Sequence, residues 1–276
     1  MTEHPEHPEL DERLHGAWHD ADRLHGVITE ALDDGQAVAV VAATRRLREI
    51  DHDPSRAVNL LSFVLRACAD HAGAEQVLRD HLRAGADDAL TWFNFAPLAA
   101  WRGDMAGVDA ALDRALRCDP DYQAALEWGF RHHRRLGGEE AATSWLWRHA
   151  RGSWQAHTML GSHLLAEGEV VRAMEYFDAA HELAPQEPGP LARASSALAE
   201  AQYYAELIDF VLDRWRGSHG PVPLMYTIEA NLLLGRPASA RLGITRLRGI
   251  TMPAELRDRA ADLERRVQRA CADAGL

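Results

Sequence analysis

Apolar residues recur along this chain at spacings of three and four, in short stretches separated by polar turns that carry glycine or proline. Stretch 154–187 is the clearest. His157, Leu160, Gly161 and Leu164 fall on one helical face, Gly168 marks a turn, Ala173, Phe177 and Ala180 form a second face, and Pro185 ends it. Stretch 89–122 repeats the scheme with Trp92, Phe95-Ala96, Gly103, Val108, Leu112, Ala115 and Pro120. The turn glycines set the period. Gly35 and Gly103 lie two periods of 34 apart, Gly137 follows Gly103 by 34, Gly168 comes 31 later, and Gly235 falls one residue short of two further periods. The pattern predicts paired amphipathic helices at 21–54, 55–88, 89–122, 123–153, 154–187, 188–220 and 221–253, with 123–153 a short unit.

The last segment carries Leu256, Ala260, Leu263 and Val267 on one face and Arg, Asp and Glu on the other. This is the polar-backed helix that a stacked array needs where stacking stops.

A helix–turn–helix unit of about 34 residues, with Leu160-Gly161, Ala173, Phe177, Ala180 and Pro185 at their positions, resembles the tetratricopeptide repeat. The resemblance covers about residues 21–253. His157 and Leu164 depart from it, since an aromatic is usual at both. It implies an all-α fold, a right-handed α-α superhelix of about seven helix pairs plus a C-terminal capping helix. Domain boundaries follow as an acidic N-terminal segment at 1–20, the array at 21–253 and the cap at 254–276.

The family's groove lies along the first helix of each pair. Carrying its positions over gives Asn59, Phe63 and Arg66, then Phe93, Asn94 and Trp101, then Glu127, Trp128, Arg131, Arg134 and Arg135. Later units supply Gln155, Thr158, Ser162, Arg193, Ser196, Tyr226 and Glu229. Asparagine amides can hold a ligand backbone, arginine forks a carboxylate, and aromatic rings an apolar side chain. The family's two-carboxylate clamp for chaperone tails is not expected, because Phe63, Ala124 and Trp128 stand where it needs Asn, Lys and Arg.

Composition narrows the function classes. A net charge of -12 argues against nucleic acid as a partner. Ten acidic residues against Arg13 and Arg23 within 1–34 carry much of that charge, so the rest of the chain can hold basic patches. All 30 basic side chains are arginine. Cys68, Cys118 and Cys271 fit neither a disulfide framework nor a zinc site and read as small packing residues in a reducing compartment. No apolar run is long enough for a membrane span, and a cytoplasmic location is the expectation.

No phosphate-binding glycine loop, Gly-x-Ser-x-Gly elbow or His-Glu-x-x-His motif is present. The expectation is therefore a non-enzyme without cofactor or bound metal. His4 behind a small Thr2 is the one terminal position that could chelate Cu²⁺ or Ni²⁺. The leading expectation is a bacterial-type adaptor that holds a protein or peptide segment, acidic or C-terminal, in an Arg, Asn and aromatic groove. A self-assembling scaffold (a homo-oligomer) and an accessory protein for a metalloenzyme or metal handling are the alternatives.

Overall fold

The computed structural model describes residues 8–276. Among these there are fifteen α-helices, two 3-10 turns and no strand. The helices are α1 (Pro8–Ala17), α2 (Ala21–Asp33), α3 (Val41–Ile50), α4 (Pro54–Ala67), α5 (His71–Arg83), α6 (Ala89–Trp101), α7 (Met105–Cys118) and α8 (Gln123–His149). They continue with α9 (Trp154–Ala166), α10 (Val170–Leu183), α11 (Pro188–Glu200), α12 (Tyr204–Arg214), α13 (Val222–Leu233), α14 (Pro237–Leu247) and α15 (Arg257–Asp273). The long α8 is broken at Gly137 and Gly138, whose backbone is not helical. At Gly138 φ is 76° and ψ is -169°, a conformation essentially restricted to glycine. The break makes two helices of α8, at 123–136 and 139–149, and the seven expected pairs are all present. The chain divides into two compact units, Met1–Ala125 and Leu126–Leu276.

In five of the seven pairs a small residue on the first helix stands sixteen residues before a large one on the second: Ser62 and Leu78, Ala96 and Leu112, Gly129 and Trp145, Gly161 and Phe177, Ser195 and Val211. All but Gly129, Gly161, Ser62 and Ser195 are core hydrophobics, and those four are buried as well. In the pair of α13 and α14 the order is reversed, with Gly243 against Ile228. The approach is close. A Cβ at Gly161 would sit 2.5 Å from Phe177 Cε1, and one at Gly129 would sit 2.2 Å from Trp145 Cη2. Only a small side chain lets helices of a pair meet at this distance.

In the first unit, aspartates begin the helices. Asp20, Asp53, Asp70, Asp88 and Asp104 each accept the backbone N–H three residues on, at the starts of α2, α4, α5, α6 and α7. A cap of this kind contributes about 1 kcal/mol, so part of the acidic composition is structural. Arg56 of α4 binds Asp51 at 2.8 Å and Asp22 at 2.8 Å, clasping α2, α3 and α4 together. Helix α1 lies inside the segment expected only as an acidic terminus. Its Leu10, Leu14 and Ala17 join Leu24 and Ile28 in the core. Its spacing of four was legible, but the surrounding Glu, Asp and His masked it.

In the second unit α15 closes the array. Leu263, Val267 and Cys271 pack against Leu224, Ile228, Ile244 and Leu247. The expected Leu256 lies in a 3-10 turn ahead of this helix rather than on its buried face. Cys271 is buried and Cys68 half-buried, but Cys118 is exposed, so packing accounts for only two of the three cysteines.

The turn before α13 holds a histidine pair. His219 is buried, and its Nδ1 accepts the Arg216 N–H at 2.9 Å, which leaves Nε2–H to donate to the Pro185 carbonyl at 2.9 Å. His181 lies 5.7 Å away, ring to ring. Burial pushes the His181 imidazole below its usual value, His219, Arg214 and Arg216 add to this, and Asp178 opposes it. The folded state therefore takes up this proton less readily than the unfolded chain does. The contribution to stability is complete above the ordinary imidazole value of about 6.5 and is lost as pH falls below it. Urea midpoints are expected to be lower at about pH 5 than at about pH 7.5, with a smaller difference in His181→Gln.

Candidate functional site

In the second unit the first helices of three successive pairs line one depression of about 640 Å³. Phe130 comes from α8, Thr158, Met159 and Ser162 from α9, and Arg193, Ser196 and Glu200 from α11. The period explains the gathering. Residues at the same position in successive repeats return to the same face, so Met159 and Arg193, and likewise Ser162 and Ser196, line one depression although 34 residues separate each two.

The hydroxyls are oriented by the helices that carry them. Thr158 Oγ1 donates to the Gln155 carbonyl and Ser162 Oγ to the Thr158 carbonyl, both at 2.8 Å. Thr158 is buried and Ser162 exposed, so it is the Ser162 oxygen that presents lone pairs to a ligand N–H. Ser196 Oγ bonds Glu200 at 2.9 Å and the Tyr226 hydroxyl at 3.1 Å. Beyond Tyr226 the face continues into Arg259, 5.0 Å above the Tyr226 ring, and into Arg266, which pairs with Glu229 at 2.9 Å.

Arg193 differs from these arginines. Its guanidinium lies over the Trp154 ring at 5.8 Å, and none of the ion pairs among the described residues uses it. A planar fork carried on an aromatic face, with no carboxylate of its own, is suited to an anionic ligand group.

The expected residues of the short unit divide. Arg134 lies beside the depression, 5.9 Å over Phe130 and 3.7 Å from Glu139. Trp128, Arg131 and Arg135 do not join it; with His132 they line a separate cavity of about 230 Å³. The reason is phase. Gly129 is the small residue of this unit, and it stands one position earlier than Ala96, Gly161 and Ser195 stand in theirs. Every position counted from residue 123 is therefore one too late, and Phe130 takes the place assigned to Arg131. The spacing of sixteen between Gly129 and Trp145 was the signal that would have found it.

In the first unit Phe63 is 45% exposed, with Arg66 over its ring at 5.2 Å. Burial pushes the Arg66 guanidinium below its usual value. Phe93 meets the edge of Tyr122 at 5.7 Å. Trp101 is exposed and stacks at 4.1 Å on His71, at the start of α5 in the preceding pair.

Asn59 and Asn94 were expected to hold a ligand backbone, but both are buried. Asn94 Nδ2 donates to Asn59 Oδ1 at 2.8 Å, while Asn59 Nδ2 donates to the Ser55 carbonyl and to Thr91 Oγ1. Their amides thus serve the contact between α4 and α6.

That network includes the residue types of a nucleophilic triad, Ser55, His81 and Asp88. Their wiring is different. Ser55 Oγ lies 3.0 Å from both His81 Nε2 and Asp88 Oδ2, and Asp88 also accepts the Thr91 hydroxyl and caps α6. A relay needs the histidine between the other two, with its far nitrogen on the carboxylate. Here Asp88 approaches the same Nε2, at 3.8 Å. The arrangement ties α4, α5 and α6 together and offers no activated nucleophile.

Among the described residues no group of three or more His, Cys, Asp or Glu is placed to hold a metal ion. His4 lies outside the described residues. No helix among the described residues is long and apolar enough to cross a membrane.

No family model and no curated protein matches the sequence. Solved structures similar to this chain include yeast Tom70, at 10% identity over 99% of this chain and 66% of that one, with a TM-score of 0.43. The TPR2AB domain of yeast Sti1, in a complex with pHSP90, is 14% identical over 91% of this chain and 98% of that one, with a TM-score of 0.37. PilW, a type IV pilus biogenesis factor, is 14% identical over 71% of this chain and 92% of that one, with a TM-score of 0.38. Scores this low add no weight, and the fold class rests on the chain's own geometry: helix pairs near 34 residues long, five of them with a small residue sixteen positions before a large one. The described residues form an all-α array of helix pairs with a period near 34 residues.

Proposed function

We propose that this protein is a non-catalytic adaptor whose second unit binds an extended peptide segment bearing a carboxylate, along the face formed by α9 and α11. One observation carries the reading: Arg193, with no carboxylate partner, stands in the same depression as the Thr158 and Ser162 hydroxyls and the apolar Phe130 and Met159. Arg193 takes the carboxylate in bidentate fashion, the Ser162 hydroxyl oxygen accepts a backbone N–H group, and Phe130 with Met159 covers an apolar side chain. Glu200 at the rim orients the ligand by repelling a second acid there. Phe63, Arg66 and Phe93 of the first unit are proposed as further contacts for a longer partner, while Trp128, Arg131 and Arg135 belong to a separate surface.

A displayed library of random peptides panned against the full chain tests the reading. Selected sequences are expected to be enriched in Asp, Glu or a free C-terminal carboxylate beside an apolar residue. Enrichment in basic or purely apolar sequences would contradict it.

A further inference from the structure

The second half of α8, residues 139–149, turns Trp145 and Leu146 into the core. Its opposite face carries Glu140, Ser144, Trp147 and Arg148, which spacings of three and four place in one stripe. Trp147 is 66% exposed. All four residues line a cleft of about 910 Å³ between this helix and α10, with Leu160 and Leu164 of α9 also in its wall. Among the α8 residues that line it, Ala141, Thr143 and Ser144 are small, which leaves room between the larger Glu140, Trp147 and Arg148.

The charges of the stripe are ordered. Glu140 and Arg148 stand four residues before and four residues after Ser144, a separation of about 12 Å along the helix. Neither takes part in any ion pair among the described residues, although Glu139, one residue away, pairs with Arg134 and His163. A pattern with acid at one end, base at the other and a small residue at the centre is its own complement when turned end for end.

We propose that the stripe is the interface of a two-fold dimer, with a second copy of this chain as the occupant. A two-fold axis through Ser144 sets the two helices antiparallel, so that Glu140 of each chain meets the partner's Arg148. Trp147 then lies over the partner's Ala141 and fills the cleft between the partner's α8 and α10. The contact is isologous: each residue meets its counterpart twice, and the assembly closes at two chains. The apolar area is centred on one aromatic, with the charges at its rim setting register and orientation. This cleft adjoins the α9 and α11 depression at His163, but Glu140, Trp147 and Arg148 lie outside that depression, so the dimer is tested separately from peptide binding.

The experiment is sedimentation equilibrium of the full chain and of two charge variants, Glu140→Arg and Arg148→Glu. The unaltered protein is expected at twice its chain mass of 30.6 kDa. Each variant alone is expected to dissociate at least about tenfold more readily, because two attractions become two repulsions. An equimolar mixture of the two variants is expected to recover the dimer, since each supplies the charges the other lacks. Recovery on mixing also shows that both variants are folded. A monomeric unaltered protein, variants that dimerise as well as it does, or a mixture that stays monomeric would each overturn the proposal.

Discussion

Replacing Phe177 with alanine is expected to destabilise the second unit by about 3–5 kcal/mol and to lower its thermal midpoint by roughly 10 °C. Phe177 is fully buried, with 0% exposure. Its ring presses on the backbone of Gly161 and lies 6.2 Å from that of Phe210, so it joins α9, α10 and α12. Alanine removes most of the ring's contacts, and the backbone of α9 cannot follow into the space because α11 packs on its other side. The cost is therefore transfer plus cavity, near the upper end for a core aromatic.

The reverse change fails for the opposite reason. Gly161→Val would place atoms within the Phe177 ring, and overpacking of this kind costs about 1–3 kcal/mol. Pairing Gly161→Ala with Phe177→Leu should cost less than the sum of the two single changes, because both act on one gap. Chemical denaturation followed by far-UV circular dichroism measures all of these. A loss below about 1 kcal/mol for Phe177→Ala would mean that the small-to-large contact is not what closes the pair.

The helix pairs were legible in the sequence because period, turns and small residues all give the same register. Gly161, Phe177 and Pro185 each mark a position that only one phase satisfies. Thr158, Ser162, Arg193 and Ser196, expected from the same register, line one depression of the second unit.

Three features resisted. In the short unit the turn glycines, Gly137 and Gly138, sit at the expected spacing while the packing glycine, Gly129, is one residue early. A register taken from turns alone therefore misplaced Trp128, Arg131 and Arg135. Asn59 and Asn94 hold positions expected to face a groove, but Ser55 and Thr91 offer them hydrogen bonds inside, and buried amides take such partners. Helix α1 has its apolar residues spaced correctly, yet it is so acidic that composition outweighed periodicity.

The carboxylate-binding claim rests most heavily on Arg193. In Arg193→Glu the attraction becomes a repulsion at the same point, and an affinity loss of about 100-fold is expected, the scale of a charge-assisted hydrogen-bond pair. Arg193→Lys keeps the charge but loses the fork and its seat on Trp154, so a smaller loss of about tenfold is expected. Neither change should disturb the fold, since Arg193 makes no hydrogen bond or ion pair among the described residues. Glu140→Arg, on the other surface, should leave this affinity unchanged. The decisive measurement is isothermal titration of one panned acidic peptide into the unaltered protein and into Arg193→Glu. The account predicts a clear heat of binding in the first and an affinity about 100-fold weaker in the second; equal affinity in both would contradict it.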